Sequence, residues 1–212
     1  MKKLFALLII LEVYACNPST DEQTPEDTQQ VIDTTVSTET QKEAVKLPLA
    51  EANFLTFYQK FITAIDSKNQ SEINEFIDET FGLYFIESNG AMPMFKRVND
   101  IAKFKSVRGK LFFELPLSEL GKLPTFEELP KIICDTAAYD KLGCFAQKTN
   151  PFANDEFWYF SDLNEKEKQA ISAFAEKIDF TVINTSVGKF YFTKSEDVWK
   201  LGFIDLRVPC ES

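Results

Sequence analysis

Residues 180–205 read FTVINTSVGKFYFTKSEDVWKLGFID, and this stretch decides the fold. It contains three runs rich in β-branched and aromatic residues, which is typical of strands. The runs cover residues 180–185, 189–194 and 198–205. Links as short as those between them favour antiparallel pairing. In the last run Trp199, Leu201 and Phe203 alternate with other residues, so the sequence predicts a meander with one buried face.

Helical patterns precede this meander. Apolar residues three and four positions apart predict an amphipathic helix over 50–66. The recurring residues are Phe54, Phe57, Tyr58, Phe61, Ile62 and Ile65. Asn69 begins the capping-box sequence Asn-Gln-Ser-Glu, which predicts a second helix. A later helix is predicted over 163–178, with Asp162 as its N-cap.

The rest of this region has weaker signals. We expect strands over 81–87 and 110–115, a short helix over 98–104, and a tight turn at Asn89-Gly90. Residues 116–160 contain prolines and no lasting periodicity, so they are expected to be irregular.

Taken together, these elements predict an α+β domain with helices packed on one face of a curved antiparallel sheet. Their order resembles the nuclear-transport-factor-2-like (NTF2-like) or cystatin-like folds. The resemblance implies that the irregular segment is an insertion. It implies no particular activity, since such folds host unrelated functions.

The start of the chain is typical of a secretory signal: two lysines, then the apolar run 4–11, which is too short to span a membrane. The sequence Val13-Tyr14-Ala15-Cys16 follows and resembles the lipobox of bacterial lipoproteins. This resemblance implies a signal peptide over 1–15 and acylation of Cys16. It also implies that Cys16 anchors the protein to a membrane of the bacterial cell envelope, on the periplasmic or surface face of the outer membrane. The alternative is an ordinary signal peptide cleaved after Ala15, with Cys16 left free.

Residues 16–46 are expected to be a lipidated cysteine and a disordered tether. From 17 to 46 there are seven acidic residues, two lysines and no aromatic residue, so the segment lacks the apolar surface needed to fold. Its acidic start, at residues 21–27, is consistent with a sorting signal or with solvation alone. Residues 47–212 are predicted to form a single globular domain.

Charge and composition exclude several functions. Residues 47–212 carry 19 basic and 25 acidic side chains, which makes nucleic acid and anionic lipid surfaces poor electrostatic partners. No basic run is expected to offset this net charge. The chain has no histidine, which excludes Ser-His-Asp catalysis and histidine-ligated metals. No phosphate-binding loop or calcium loop is present. We therefore expect no cofactor and no metal.

The remaining cysteines are Cys134, Cys144 and Cys210. In an oxidising compartment we expect a local disulfide between Cys134 and Cys144, although Cys210 could pair with either. A catalytic thiol is disfavoured because no histidine can activate it.

Two further clusters are candidate sites. Asp135, Tyr139 and Asp140 could form an acid–base pair if buried, or else a solvated loop. The aromatic run 157–160 could face a ligand through Phe157, Trp158 and Tyr159, or could simply be a strand with aromatic residues on both faces.

Two functional hypotheses result. The favoured one is a membrane-anchored, non-enzymatic module that binds an envelope protein or a small apolar or carbohydrate ligand. The alternative is a small-pocket enzyme of the NTF2-like type with a buried Asp or Glu as general base. The two differ in whether a carboxylate lies in an apolar pocket beside a Tyr or Trp.

Overall fold

The structure is a computed structural model that describes residues 47–88, 90, 92–207 and 210. The predicted signal peptide, Cys16 and the tether over 16–46 lie outside the described residues, as does Asn89 of the predicted turn. Within the described residues, no helix combines the length and the apolar character needed to cross a membrane.

Within the described residues the chain forms two helices, six strands, two further helices and three final strands, with short 3-10 helices between some of them. The helices are α1 Leu49–Asp66, α2 Gln70–Asn74, α3 Pro151–Asp155 and α4 Glu165–Ala175. The strands are β1 Leu83–Ser88, β2 Pro93–Val98, β3 Thr125–Phe126, β4 Ile132–Ile133, β5 Ala138–Tyr139, β6 Cys144–Gln147, β7 Ile178–Asn184, β8 Gly188–Ser195 and β9 Val198–Asp205. Short 3-10 helices lie at Ile101–Lys103, Phe112–Glu114, Leu117–Gly121, Cys134–Thr136 and Phe157–Phe160.

Seven of these strands form one sheet in the order β2-β1-β9-β8-β7-β6-β3, and β4 and β5 form a separate hairpin. Neighbouring strands are antiparallel except for the parallel pairs β1–β9 and β3–β6. The predicted meander is confirmed as β7–β8–β9. The fold is therefore α+β with a mostly antiparallel sheet.

Helix α1 forms as its periodicity predicts. Phe54, Tyr58 and Phe61 are fully buried because they share one stripe of the helix surface. Phe54 stacks on Phe180 of β7, with ring centroids 4.1 Å apart. The predicted cap of α2 is also confirmed, since the Asn69 side chain accepts hydrogen bonds from two backbone N–H groups of that helix.

Helical segments cover both faces of the sheet, so the expectation that helices pack on only one face is wrong. Along β1, Leu83 and Phe85 belong to the core beneath α1, whereas Tyr84 and Ile86 belong to a second core beneath α3 and α4. Alternate residues of a strand point to opposite faces. Because both sets are apolar, the strand must be covered on both sides.

Several predictions between the first and last helices are wrong. Residues 93–98 form a strand that was not predicted, and Phe112–Glu114 is a 3-10 helix where a strand was expected. The aromatic run 157–160 is also a 3-10 helix. The expected insertion contributes β6 to the main sheet. Helix α4 begins at Glu165, and its N-cap is Asn164, in a capping box with Glu167, instead of the predicted Asp162.

Candidate functional site

The aromatic run 157–160 does not present its tryptophan to a ligand. Trp158 is 1% exposed and stacks on Phe152, with ring centroids 5.2 Å apart. Its indole N–H has no hydrogen-bond partner among the described residues. Phe157 is half-buried beneath the guanidinium of Arg207. Tyr159 is 46% exposed, so of the three predicted ligand-facing residues it is the most open to solvent.

The predicted Cys134–Cys144 disulfide is wrong. Cys134 is instead bonded to Cys210, which lies beyond β9. Cys144 begins β6 and faces the core under α1, with its sulfur 3.8 Å from the Tyr58 hydroxyl. Burial raises the pKa of the Cys144 thiol, which opposes a role as a nucleophile.

The loop carboxylates near Tyr139 do not form an acid–base pair. Asp135 and Asp140 are exposed, and Asp140 accepts a hydrogen bond from the backbone N–H of Lys131. Tyr139 is half-buried, and burial followed by the charge of Asp205 raises its pKa to about 12. The solvated-loop alternative therefore describes the two aspartates.

Asp205 is the most buried carboxylate described, at 1% exposure. Its two oxygens accept bonds from Nε and Nη2 of Arg207, each at 2.8 Å. Lys189 Nζ lies 3.9 Å from Oδ2. Both carboxylate oxygens are thus occupied by cationic donors, which makes Asp205 a structural ion-pair member and a poor general base.

Glu87 is the second buried carboxylate. It is 9% exposed and lines a cavity of about 280 Å³ with Met94, Phe95, Lys96 and Lys105. Desolvation raises the pKa of Glu87, while a hydrogen bond from the Val107 N–H partly offsets this. The apolar side chains that line this cavity are Met94, Phe95 and Val107. The lining formed by the described residues contains no Tyr or Trp, which the enzyme hypothesis requires beside the carboxylate.

A concavity lies between α4 and the segment that leads into β1, and we call it the α4 groove. Its volume is about 730 Å³. The lining includes Asp78, Phe81, Tyr84, Arg97, Glu167, Ala170, Phe174 and Lys177. This size is in the range of small-molecule sites.

Aromatic packing builds the floor of the α4 groove. Phe81 stacks on Phe174 of α4 with ring centroids 3.4 Å apart, and Phe81 also contacts Tyr84. Gly202 of β9 makes room for this arrangement, because a Cβ there would lie 2.7 Å from Phe174 Cε1. The groove floor is therefore fixed by a glycine on the sheet below it.

Hydrogen bonds fix the segment that forms one wall of the groove. Arg97 donates from Nε to the Phe81 carbonyl and from Nη2 to the Thr80 carbonyl. Asp78 accepts from the backbone N–H groups of Thr80 and Phe81. Burial raises the pKa of Tyr84, so its hydroxyl stays protonated and can serve as a hydrogen-bond donor.

The charged side chains around the groove differ in whether they have a bonding partner. The carboxylates of Asp78 and Glu167 each accept backbone hydrogen bonds. By contrast, within the described part of the chain, Lys166 and Lys177 form no ion pair. Two exposed ammonium groups thus remain available to a ligand.

The sequence did not single out this groove, although its parts carried some signal. Phe174 lay on the predicted apolar face of a helix, and Phe81 began a predicted strand. Nothing local indicated that two segments about 90 residues apart would meet.

No family model matches the chain, and neither a curated protein nor a solved structure matches it. Among the described residues, no group of three or more His, Cys, Asp or Glu side chains could hold a metal ion. The groove brings together an aromatic floor and two exposed ammonium groups, which can contact an apolar ring and an anionic group respectively.

Proposed function

We propose that this protein is a lipid-anchored module of the bacterial cell envelope that binds a ligand in the α4 groove without transforming it. Residues 1–15 would be the signal peptide, Cys16 the acylated residue and 17–46 the tether. The domain over 47–212 would carry the ligand site. The observation that carries the ligand-binding part is the α4 groove, with its aromatic floor and two unpaired ammonium groups.

The ligand class follows from that lining. An apolar or carbohydrate face would pack against Phe81, while an anionic substituent would bind Lys166 or Lys177. Charge-assisted hydrogen bonds of this kind are stronger than neutral ones. We therefore expect a small anionic ligand with an apolar or sugar ring.

Ligand-detected NMR on the full chain in detergent tests this proposal. The probes are glucuronate and phenylacetate, each compared with its uncharged methyl ester. Ala170→Trp places a large side chain in the groove and should abolish binding of the acids. Thr56→Trp, on the exposed face of α1, is the matched control and should leave binding unchanged. Equal binding of acids and esters, or no effect of Ala170→Trp, would contradict the proposal.

The anchor is tested separately by the mass of the mature N-terminus from bacteria that express the full chain. We expect a chain that begins at Cys16 and carries acyl groups, and we expect Cys16→Ser to leave the protein unacylated. Each buried acyl methylene contributes about 0.8 kcal/mol to membrane binding. An unmodified Cys16 would refute the anchor without affecting the groove.

We also propose that the domain is a divergent member of the NTF2-like or cystatin-like group. The support is the order of its elements, with two N-terminal helices and a C-terminal antiparallel meander. An experimental structure compared with that group would test the assignment, and a different strand order in those folds would overturn it.

The alternative is an enzyme that uses Glu87 as general base. The observation that favours it is a carboxylate with a raised pKa in a cavity. If this alternative holds, Glu87→Gln will abolish turnover of a compound that binds in the Glu87 cavity while leaving its binding intact. Absence of any turnover by the unmodified protein would remove it.

A further inference from the structure

Residues 96–110 form a local concentration of positive charge in an acidic protein. They contain six basic residues and one acidic residue, whereas the whole chain has a formal charge of −10. The basic residues are Lys96, Arg97, Lys103, Lys105, Arg108 and Lys110. Within the described residues, none of the six forms an ion pair, and all six are exposed.

The acidic side chains near this segment are already engaged. Asp100 accepts hydrogen bonds from Gln70 and Asn74, and these bonds lower its pKa. Glu87 accepts from the Val107 N–H, and Glu114 accepts from the Leu111 N–H. Hydrogen bonds from neutral groups do not cancel the charge of these carboxylates, and Glu87 also interacts with the charges of Lys96 and Arg108. Because these three carboxylates stand against six exposed basic residues, the surface keeps a net positive charge.

A tight turn presents part of this charge. Lys105 and Leu111 form an antiparallel bridge, and we call residues 105–111 the basic turn. The Ser106 N–H donates to the Lys110 carbonyl at 2.8 Å, and the Ser106 hydroxyl accepts from the Lys110 N–H at 2.9 Å. Gly109 has φ +80°, a conformation that suits glycine at a turn. Hence the tip, Val107 and Arg108, is held in a defined shape.

Exposed apolar side chains are interleaved with these cations. Val107 is 41% exposed and Leu111 is 52% exposed. On the adjacent edge strand, Met94 is 40% exposed, and it lines the same cavity as Val107. The Lys96 ammonium donates to the Lys105 carbonyl at 2.6 Å, which ties the turn to β2. A surface of cations and apolar side chains matches the boundary between lipid headgroups and acyl chains.

We propose that the basic turn docks on an anionic lipid bilayer, with Lys105, Arg108 and Lys110 at the headgroups and Val107 at the acyl boundary. This docking is separate from the proposed acyl anchor at Cys16. An acidic protein partner is electrostatically similar, but it does not account for an exposed valine at the tip of the turn. The bilayer accounts for both features.

A local fluorescent probe tests the contact. The full chain with Cys16→Ser and Val107→Cys is labelled with an environment-sensitive dye and mixed with phosphatidylcholine vesicles, with or without phosphatidylglycerol. We expect a blue-shifted, brighter emission only with phosphatidylglycerol, which weakens as salt is raised. The same dye at Thr56→Cys, on exposed α1, should not respond. Because Cys16 is replaced, the result does not depend on the anchor.

Charge-reversal variants measure how much the basic residues contribute to binding of the bilayer. Each basic residue near an anionic surface contributes on the order of 1 kcal/mol, so Lys105→Glu with Arg108→Glu should weaken the dye-reported partition about 30-fold or more. Lys60→Glu with Lys122→Glu makes the same charge change at other exposed positions and should have little effect. Circular dichroism checks that both variants are folded.

Two results would overturn the proposal. One is an equal response to vesicles with and without phosphatidylglycerol. The other is no response to anionic vesicles together with binding of a polyglutamate peptide, which would assign the basic turn to an acidic protein partner.

Discussion

The Cys134–Cys210 disulfide predicts a specific pattern of stability losses. It joins residues 76 positions apart, and the chain-entropy relation for a loop of that size gives about 4.5 kcal/mol of stabilisation at 25 °C. A disulfide between Cys134 and Cys144 would close a loop of about 10 residues and contribute about 2.7 kcal/mol by the same relation. The two pairings therefore differ in the size of the expected stabilisation and in whether Cys210 or Cys144 is the partner whose loss removes it.

Urea unfolding of the oxidised full chain in a Cys16→Ser background measures this difference. Cys134→Ser, Cys210→Ser and the double variant should each lower the free energy of unfolding by about 4 kcal/mol, because either change removes the same bond. The m-value should rise, since an unfolded chain without the cross-link exposes more surface. Cys144→Ala should cost only about 1 kcal/mol for the lost packing.

A different coupling pattern would refute the pairing. If Cys210→Ser has little effect while Cys134→Ser and Cys144→Ala fail to add, the bond joins Cys134 to Cys144. If all three single changes add independently, no disulfide stabilises the protein under these conditions.

Three further predictions concern single side chains. Gly202→Ala places a methyl group 2.7 Å from Phe174 and should destabilise the folded protein by about 1–3 kcal/mol in thermal unfolding. Gly121→Ala, with no atom nearer than 3.8 Å, is the control and should change stability little. Equal effects of the two changes would contradict the packing at the groove floor. Asp205→Asn leaves Arg207 and Lys189 without their carboxylate partner and should lower the free energy of unfolding in urea by about 3–5 kcal/mol. A loss below about 1 kcal/mol would show that the ion pair is solvated. Burial raises the pKa of Glu87 above its ordinary value of 4.5, so the folded state binds this proton more tightly than the unfolded state. The resulting stabilisation is fully present below pH 4.5 and is lost as the pH rises through the raised pKa. Glu87→Gln should remove this fall in the free energy of unfolding, measured by urea unfolding at a series of pH values. An unchanged dependence of stability on pH in this variant would contradict the pKa shift.

Local sequence patterns were sufficient to predict the helices and strands that pack against the rest of the protein along their whole length. Helix α1 and the β7–β8–β9 meander have long periodic runs and short links, so residues close in sequence determine them. Strand β2 was missed because it is an edge strand that contains Pro93, Lys96 and Arg97. Such residues are common on edges, where they discourage aggregation, but they make a strand resemble a loop.

Long-range pairing explains the other errors. Strand β6 is only four residues long, and its place in the sheet depends on pairing with β7 more than 30 residues later. The Cys134–Cys210 bond joins positions even further apart, and sequence proximity favoured Cys144 instead. Trp158 was a candidate for a ligand surface, or else for a strand with aromatic residues on both faces, because its run is dense in aromatics. A 3-10 turn instead directs it into the core beside Phe152.

The net charge of the domain is a poor guide to what its surface can approach. At an ionic strength of 0.1 M the Debye length is about 10 Å, so a bilayer interacts mainly with the charges nearest to it. The acidic excess summed over 47–212 includes carboxylates far along the chain from the basic turn, whereas residues 96–110 contain six basic residues and one acidic residue. Anionic lipid surfaces were expected to be poor partners, with no basic run to offset the net charge, whereas the proposed contact rests on the exposed cations of residues 96–110. The same reasoning predicts an oriented contact in which the basic turn faces the bilayer.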